Sequence, residues 1–181
     1  MSDNPIVNAI ERQDWLEPVQ REGSEWIKRA FAACGPQGET VKKLLHGEWL
    51  GHPLHSAITD VPVGSWTVAA ALDVLSLSGQ EQYDAGADAA VLVGLLGAVP
   101  AALSGMTDWS ETKGSPQRLG AIHGILNIAA AASYLSSYAA RKSQRRGFGR
   151  CLGFLGFGFV LASAYLGGEL TYGLRVNVKD A

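Results

Sequence analysis

Charged residues are scarce in this chain, and cysteine is scarcer. Only 18% of its 181 residues are Asp, Glu, Lys or Arg, and a formal net charge of -2 lacks the basic footprint that a nucleic-acid partner would require. The two cysteines, Cys34 and Cys151, form no CxxC pair, so neither a disulfide scaffold nor a thiolate zinc site is indicated. The opening MSDNPIVNAIERQDW contains no apolar run and no basic leader, which argues against a cleavable signal peptide. Catalytic signatures are missing too: no GxSxG nucleophile turn, no GxGxxG after a strand, no Walker loop and no HExxH. A self-contained enzyme is therefore not the expectation.

What the chain has instead is apolar sequence in blocks. Hydrophobic residues make up 47%, and most of the charges fall outside four blocks that begin near Ala57, Ala87, Leu119 and Cys151. Each block is long enough to cross a hydrocarbon core of about 30 Å at a helical rise of about 1.5 Å per residue. The mean hydropathy of +0.07 is modest because the blocks are built from Ala and Gly as much as from Leu. The predicted fold is all-α, a four-helix transmembrane bundle with an N-terminal amphipathic helix. Residues 1–43 make up the amphipathic region, 44–178 the membrane bundle and 179–181 a short tail. The spans are placed at Pro53 to Leu77, Ala87 to Met106, Arg118 to Ala140 and Cys151 to about Tyr172, with Pro62 kinking the first.

In the N-terminal region Trp15, Val19, Trp26, Ala30 and Ala33 recur at helical spacing, which predicts one amphipathic helix that stops at Gly35-Pro36. Glu11, Glu17, Glu22 and Glu25 make its polar face acidic. That favours packing on neighbours or on a second copy over adhesion to anionic lipid. A second short helix is expected from about Glu39 to Leu45.

The residues with chemistry gather in LLHGEWLGHPLHSAITDVPVGSW, residues 44–66, which holds His46, His52 and His55 of the four histidines. If four spans run up and down, the start of the first, the end of the second, the start of the third and the end of the fourth share one membrane surface. His52, His55, Asp60, Asp108, His123, Asn127, Glu169 and Tyr172 all lie near those ends. Ionisable groups are costly beside a bilayer core, so this half is where function is expected. His123, Asn127, Ala131, Tyr134 and Tyr138 form a polar seam on the third span that should face inward. The opposite half carries Asp73, Asp88 and the basic loop RKSQRRGFGR, charges that solvent and headgroups can satisfy. Small residues line one face of span two (Gly94, Ala98, Ala101, Gly105) and of span four (Gly149, Gly153, Gly156, Ser163, Gly167), where helices or a flat ligand can approach closely.

The run LLHGEWLGHPLHSAITDVPVGSW, followed by GMTDW, HGILN and YLGGELTYG, resembles the DUF2231 family of predicted four-span bacterial membrane proteins, and most closely the form fused to a Rieske iron-sulfur domain. The resemblance covers about residues 44–178, with GHPLH its most specific part. It implies a multi-pass protein of the bacterial inner membrane and supplies no activity. The chain has no CxH...CxxH Rieske ligands, so a Rieske-type partner would be a separate protein. Basic residues flanking the spans are nearly balanced between the two sides; the missing export signal tips the expectation to cytoplasmic termini.

Three readings of the histidine-rich end follow. The main one is a haem b electron-transfer module, with His55 and His123 as axial ligands, His52 as a further cofactor-binding residue and the small-residue faces giving the macrocycle room. A second is a non-haem metal held by His52, His55 and His123 with Asp60 or Asp108. In either case Asn127, Glu169 and Tyr172 would support the ligands. The third has no cofactor: His and Asp hydrogen-bond across the bundle and fix its register, making a structural membrane anchor or assembly protein. The partners expected are the lipid bilayer, a separate Rieske-type redox protein and a second copy of the chain.

Overall fold

Local chemistry sets each break in the helices of the computed structural model, which describes residues 4–177. Asn4 caps α1 (Pro5–Glu11) by accepting from the Ile6 N–H, with Pro5 at the position where no donor is needed. The helix cannot simply continue, because Pro18 has no N–H for the carbonyl four residues back. A restart at Leu16 gives α2 (Leu16–Ala33) and puts Pro18 in the first turn, where the donor is not missed. Gly35 then takes φ +56 and α3 runs Gly35–His46 with Pro36 in its first turn. The N-terminal region thus holds three helices where one amphipathic helix and a short second one were expected. The stop at Gly35-Pro36 is where the sequence placed it.

Gly47 ends α3 at φ 80, and a Cβ there would overlap the His52 carbonyl and the Leu54 nitrogen, so only glycine fits. A 3-10 turn, Glu48–Leu50, leads to α4 (Leu54–Ile58) and α5 (Asp60–Leu77), interrupted at Thr59. Pro62 explains the interruption, since it cannot donate to the Ile58 carbonyl. The helices α6 (Asp84–Glu111), α7 (Ser115–Lys142) and α8 (Arg146–Gly168) follow, and α8 passes into a π turn, Glu169–Gly173. All the described structure is helix, turn or irregular chain.

Among the described residues, four helical stretches are long and apolar enough to cross a membrane: Leu54–Leu77, Glu81–Glu111, Ser115–Lys142 and Arg146–Gly173. Much of their apolar surface faces outward, with Leu96 65% and Ile128 70% exposed. Outward-facing apolar surface on this scale calls for lipid rather than water.

Contacts divide the chain into two compact units. The first comprises the described residues up to His55, then Ala102–Ile125 and the chain from Ser163 on; the second comprises Ser56–Ala101 and Leu126–Ala162. In the first, Trp109 is held between Gly23 of α2 and Gly120 of α7, and donates its Nε1–H to the Gln117 carbonyl at 2.8 Å. In the second, the core is a layered stack. Trp66 of α5 lies on Tyr134 of α7 at 4.3 Å and 9°, with Ala69, Val91, Ala130 and Val160 around them. Gly94 of α6 lies directly against the Trp66 ring, and a Cβ on Gly156 of α8 would come within 3.0 Å of Tyr134.

Candidate functional site

Two polar assemblies stand out, one in each unit. In the first, α3 delivers His46 to the last turns of α6, and its Nδ1 lies 2.6 Å from Asp108 Oδ1. Asp108 also accepts from Asn177 at 3.1 Å. The other ring nitrogen, Nε2, lies 3.1 Å from Glu111 Oε2 but is too poorly aligned for a hydrogen bond. Glu111 in turn pairs with Lys42 one turn before His46 on α3, and holds its ammonium above the usual lysine range. The two carboxylates therefore sit at opposite nitrogens of one imidazole instead of converging on a point.

A few residues further along the chain, the rings of His55 and His123 meet edge to face, with centroids 6.2 Å apart and planes at 88°. His123 Nδ1 is 2.9 Å from both the carbonyl and the hydroxyl of Ser163 on α8. A carbonyl only accepts, so the proton is assigned to Nδ1. Both rings occupy the space left by glycines: a Cβ on Gly105 would meet His55 at 2.7 Å, and one on Gly167 would meet His123 at 3.3 Å.

The second unit holds an assembly that sequence reasoning assigned to solvent. Arg141 of α7 has a side chain of 0% exposure, and its guanidinium grips Asp73 of α5 through both Nη atoms. The same Nη1 reaches Asp88 of α6 at 3.3 Å, and Nε donates to Ser137 Oγ at 3.1 Å. From α8, Arg146 donates to both oxygens of Asp88 at 3.0 and 2.9 Å and pairs with Asp84 at 3.0 Å. Arg150 bonds Asp84 at 2.7 Å and Ser76 at 2.5 Å. Three aspartates and three arginines thus cancel in a largely buried network. Gly149 and Gly153 explain part of the small-residue face of α8: a Cβ on either would press on the Arg141 side chain, at 2.7 Å and 3.3 Å respectively.

A family model described as "Predicted membrane protein (DUF2231)" matches residues 51–180, well over half of the chain. The chain belongs to the DUF2231 family. It is a bacterial multi-pass membrane protein, in keeping with the four apolar helices long enough to span. Comparison with curated proteins and with solved structures finds no match.

For this DUF2231 protein the haem b and non-haem metal readings are overturned, and with them the roles of metal binding and electron transfer. Among the described residues no group of three or more His, Cys, Asp or Glu is arranged to hold a metal ion. His52 is exposed in the turn before α4, and Asp60 is exposed at the first turn of α5. Asp108 is engaged by His46 and Asn177. The macrocycle also lacks its room. The glycine positions that were to supply a flat slot are filled from within, Gly105 by His55, Gly167 by His123, Gly94 by Trp66 and Gly156 by Tyr134.

The residues expected to support the ligands differ in exposure. Asn127 is exposed, Glu169 is half-buried in the π turn, and Tyr172 is 88% exposed. Of the polar seam expected on α7, His123 and Tyr134 are turned inward and Tyr138 packs on the core, whereas Asn127 is exposed; the buried face also takes in Ser137 and Arg141.

Proposed function

We propose that this DUF2231 protein is a cofactor-free structural module of the membrane, an anchor or assembly protein whose polar groups fix helix register. In this reading residues 44–178 form a four-helix transmembrane bundle, residues 1–43 an N-terminal amphipathic helical region and 179–181 a tail, with both termini on the cytoplasmic side. The observation that carries the reading is the fully buried Arg141 guanidinium, whose hydrogen bonds all go to Asp73, Asp88 and Ser137 of the chain itself. Buried ion networks add little net stability over well-packed apolar groups, and their best-attested use is to select one register among many. His52, His55, His123, Asp60 and Asp108 then serve as polar contacts and helix-end residues. A separate Rieske-type protein and a second copy of this chain are candidate clients of such an anchor.

The test uses the full chain, tagged at its natural expression level and extracted in mild detergent. The expected result is a sample without a Soret band or stoichiometric metal that migrates with a partner at fixed ratio. A red or metal-loaded sample, or a chain that migrates alone at its own size, defeats the reading.

A further inference from the structure

The helix α2 has three faces, and only two of them have an evident purpose. At about 100° per residue, Leu16, Gln20, Gly23, Ser24, Ile27 and Phe31 fall on one side. That is the side turned inward, with Leu16 at 0%, Gln20 and Ser24 buried, and Gly23 seated on the Trp109 ring. Glu17, Arg21, Glu25, Lys28 and Arg29 fall on a second side, all exposed, and exposed Glu22 lies where that side meets the third. The third carries Trp15, Val19, Trp26, Ala30 and Ala33, also all exposed, with Trp26 at 72%. This apolar stripe lies beside the buried face, roughly 100° around the wheel from its centre, and the charged face completes the circle.

We infer that the stripe of Trp15, Val19 and Trp26 rests in the headgroup–acyl boundary of the bilayer, so that α2 is a helix lying in the membrane interface at the edge of the spans. Its level is fixed by what it touches. Gly23 packs on Trp109, and α3 joins the same region through Lys42 to Glu111 and His46 to Asp108. All three partners lie in the last turn of the Glu81–Glu111 span, where a membrane surface must be. A helix held there, with one face on the protein and one face charged, has its remaining apolar face directed along the surface at headgroup depth. Tryptophan is the residue enriched at that depth, because its ring is apolar and its N–H still reaches polar partners.

Charge decides the kind of surface. The three glutamates of α2, Glu17, Glu22 and Glu25, are matched by Arg21, Lys28 and Arg29, and two pairs touch: Arg29 with Glu25 at 2.8 Å and Arg21 with Glu22 at 3.9 Å. The helix therefore has no net attraction to anionic lipid, and its hold comes from apolar burial in a zwitterionic layer, insensitive to salt. The expectation of packing or self-association rested on Glu11, Glu17, Glu22 and Glu25, which argue against anionic lipid and not against a zwitterionic layer.

The full chain in phosphatidylcholine nanodiscs, one copy per disc, tests this. In a Cys34→Ser/Cys151→Ser background, spin labels at Val19→Cys and Trp26→Cys should collide severalfold more with oxygen, relative to a water-soluble nickel chelate, than a label at Glu25→Cys. In the chain without labels, brominated phosphatidylcholine should quench tryptophan emission, and Trp26→Phe should remove a quenchable share at both low and high salt. Nickel access at 19 and 26 equal to that at 25 would put the stripe in water and overturn the inference. Protection of 19 and 26 from both reagents, or a quenched share unchanged by Trp26→Phe, would overturn it as well, by showing protein on that face or no lipid near it.

Discussion

Replacing Arg141 by Met keeps an unbranched apolar stem and removes the charged guanidinium, and the geometry sets what that should cost. Asp88 keeps Arg146 at 2.9 and 3.0 Å, so it loses one of its two guanidinium partners. Asp73 fares worse: its carboxylate, 3% exposed, keeps only the Arg150 Nε at 3.6 Å, beyond hydrogen-bond reach. Breaking a buried pair from one side typically costs about 3–5 kcal/mol, because the survivor stays desolvated and unpaired. Arg141→Met should fall in that range, while Lys142→Met, whose side chain is 57% exposed and 3.6 Å from Asp88, should cost less than about 1 kcal/mol. The double variant Asp73→Leu/Arg141→Met removes both members and should recover a large part of the loss, a coupling of about 0.5–3 kcal/mol in a double-mutant cycle. Reversible unfolding of the detergent-solubilised chain, followed by near-ultraviolet dichroism, measures these three and the Asp73→Leu single variant that closes the cycle. A loss for Arg141→Met no larger than for Lys142→Met, or losses that simply add, would refute the network as the feature that sets register.

Three other substitutions probe the packing. The Tyr134 hydroxyl is buried without a hydrogen-bond partner among the described residues, so Tyr134→Phe should be neutral or slightly stabilising; a loss above about 1 kcal/mol in the same unfolding assay would mean the hydroxyl has a role. Gly94→Val drives new atoms into the Trp66 ring and should cost about 1–3 kcal/mol, with a shift in Trp66 emission that Gly64→Ala, in open space, does not produce. Gly47→Ala meets both a left-handed backbone and the His52 carbonyl, and should cost about 1–3 kcal/mol by thermal unfolding; a wild-type melting point would show that the turn before α4 can rearrange freely.

The four spans were legible because a membrane demands unbroken apolar length, and the blocks ending near Leu77 and Ala140 supply it without competition from other signals. Pro62 was legible for the same kind of reason, since a missing N–H has one consequence wherever it falls. His55 and His123 were readable as neighbours from connectivity alone. Arg141 was not, although a signal existed: one further step of three beyond Tyr138 on the supposed polar seam lands on it. It was passed over because arginine at a span end usually reaches headgroups, and the sequence cannot say that Gly149 and Gly153 leave a pocket for it. Packing or self-association was expected of α2 from its acidic residues, and the sequence does not say which of its faces meets protein: Gln20, Gly23 and Ser24 do, while Trp15 and Trp26 are exposed.

The order of charges along the chain has a consequence for how the protein is made. Asp73, Asp84 and Asp88 lie in α5 and α6, whereas Arg141, Arg146 and Arg150 belong to α7 and α8. During synthesis from the N-terminus, the first two membrane helices emerge with three acidic groups and none of the arginines that later neutralise them. The last two helices bring the cations, and α8 alone supplies two. A nascent chain that stalls after α6 carries only negative charge at these positions, and one that stalls after α7 can satisfy Asp73 but leaves Asp84 without its arginines. The charges of the network therefore balance only once α8 has been made.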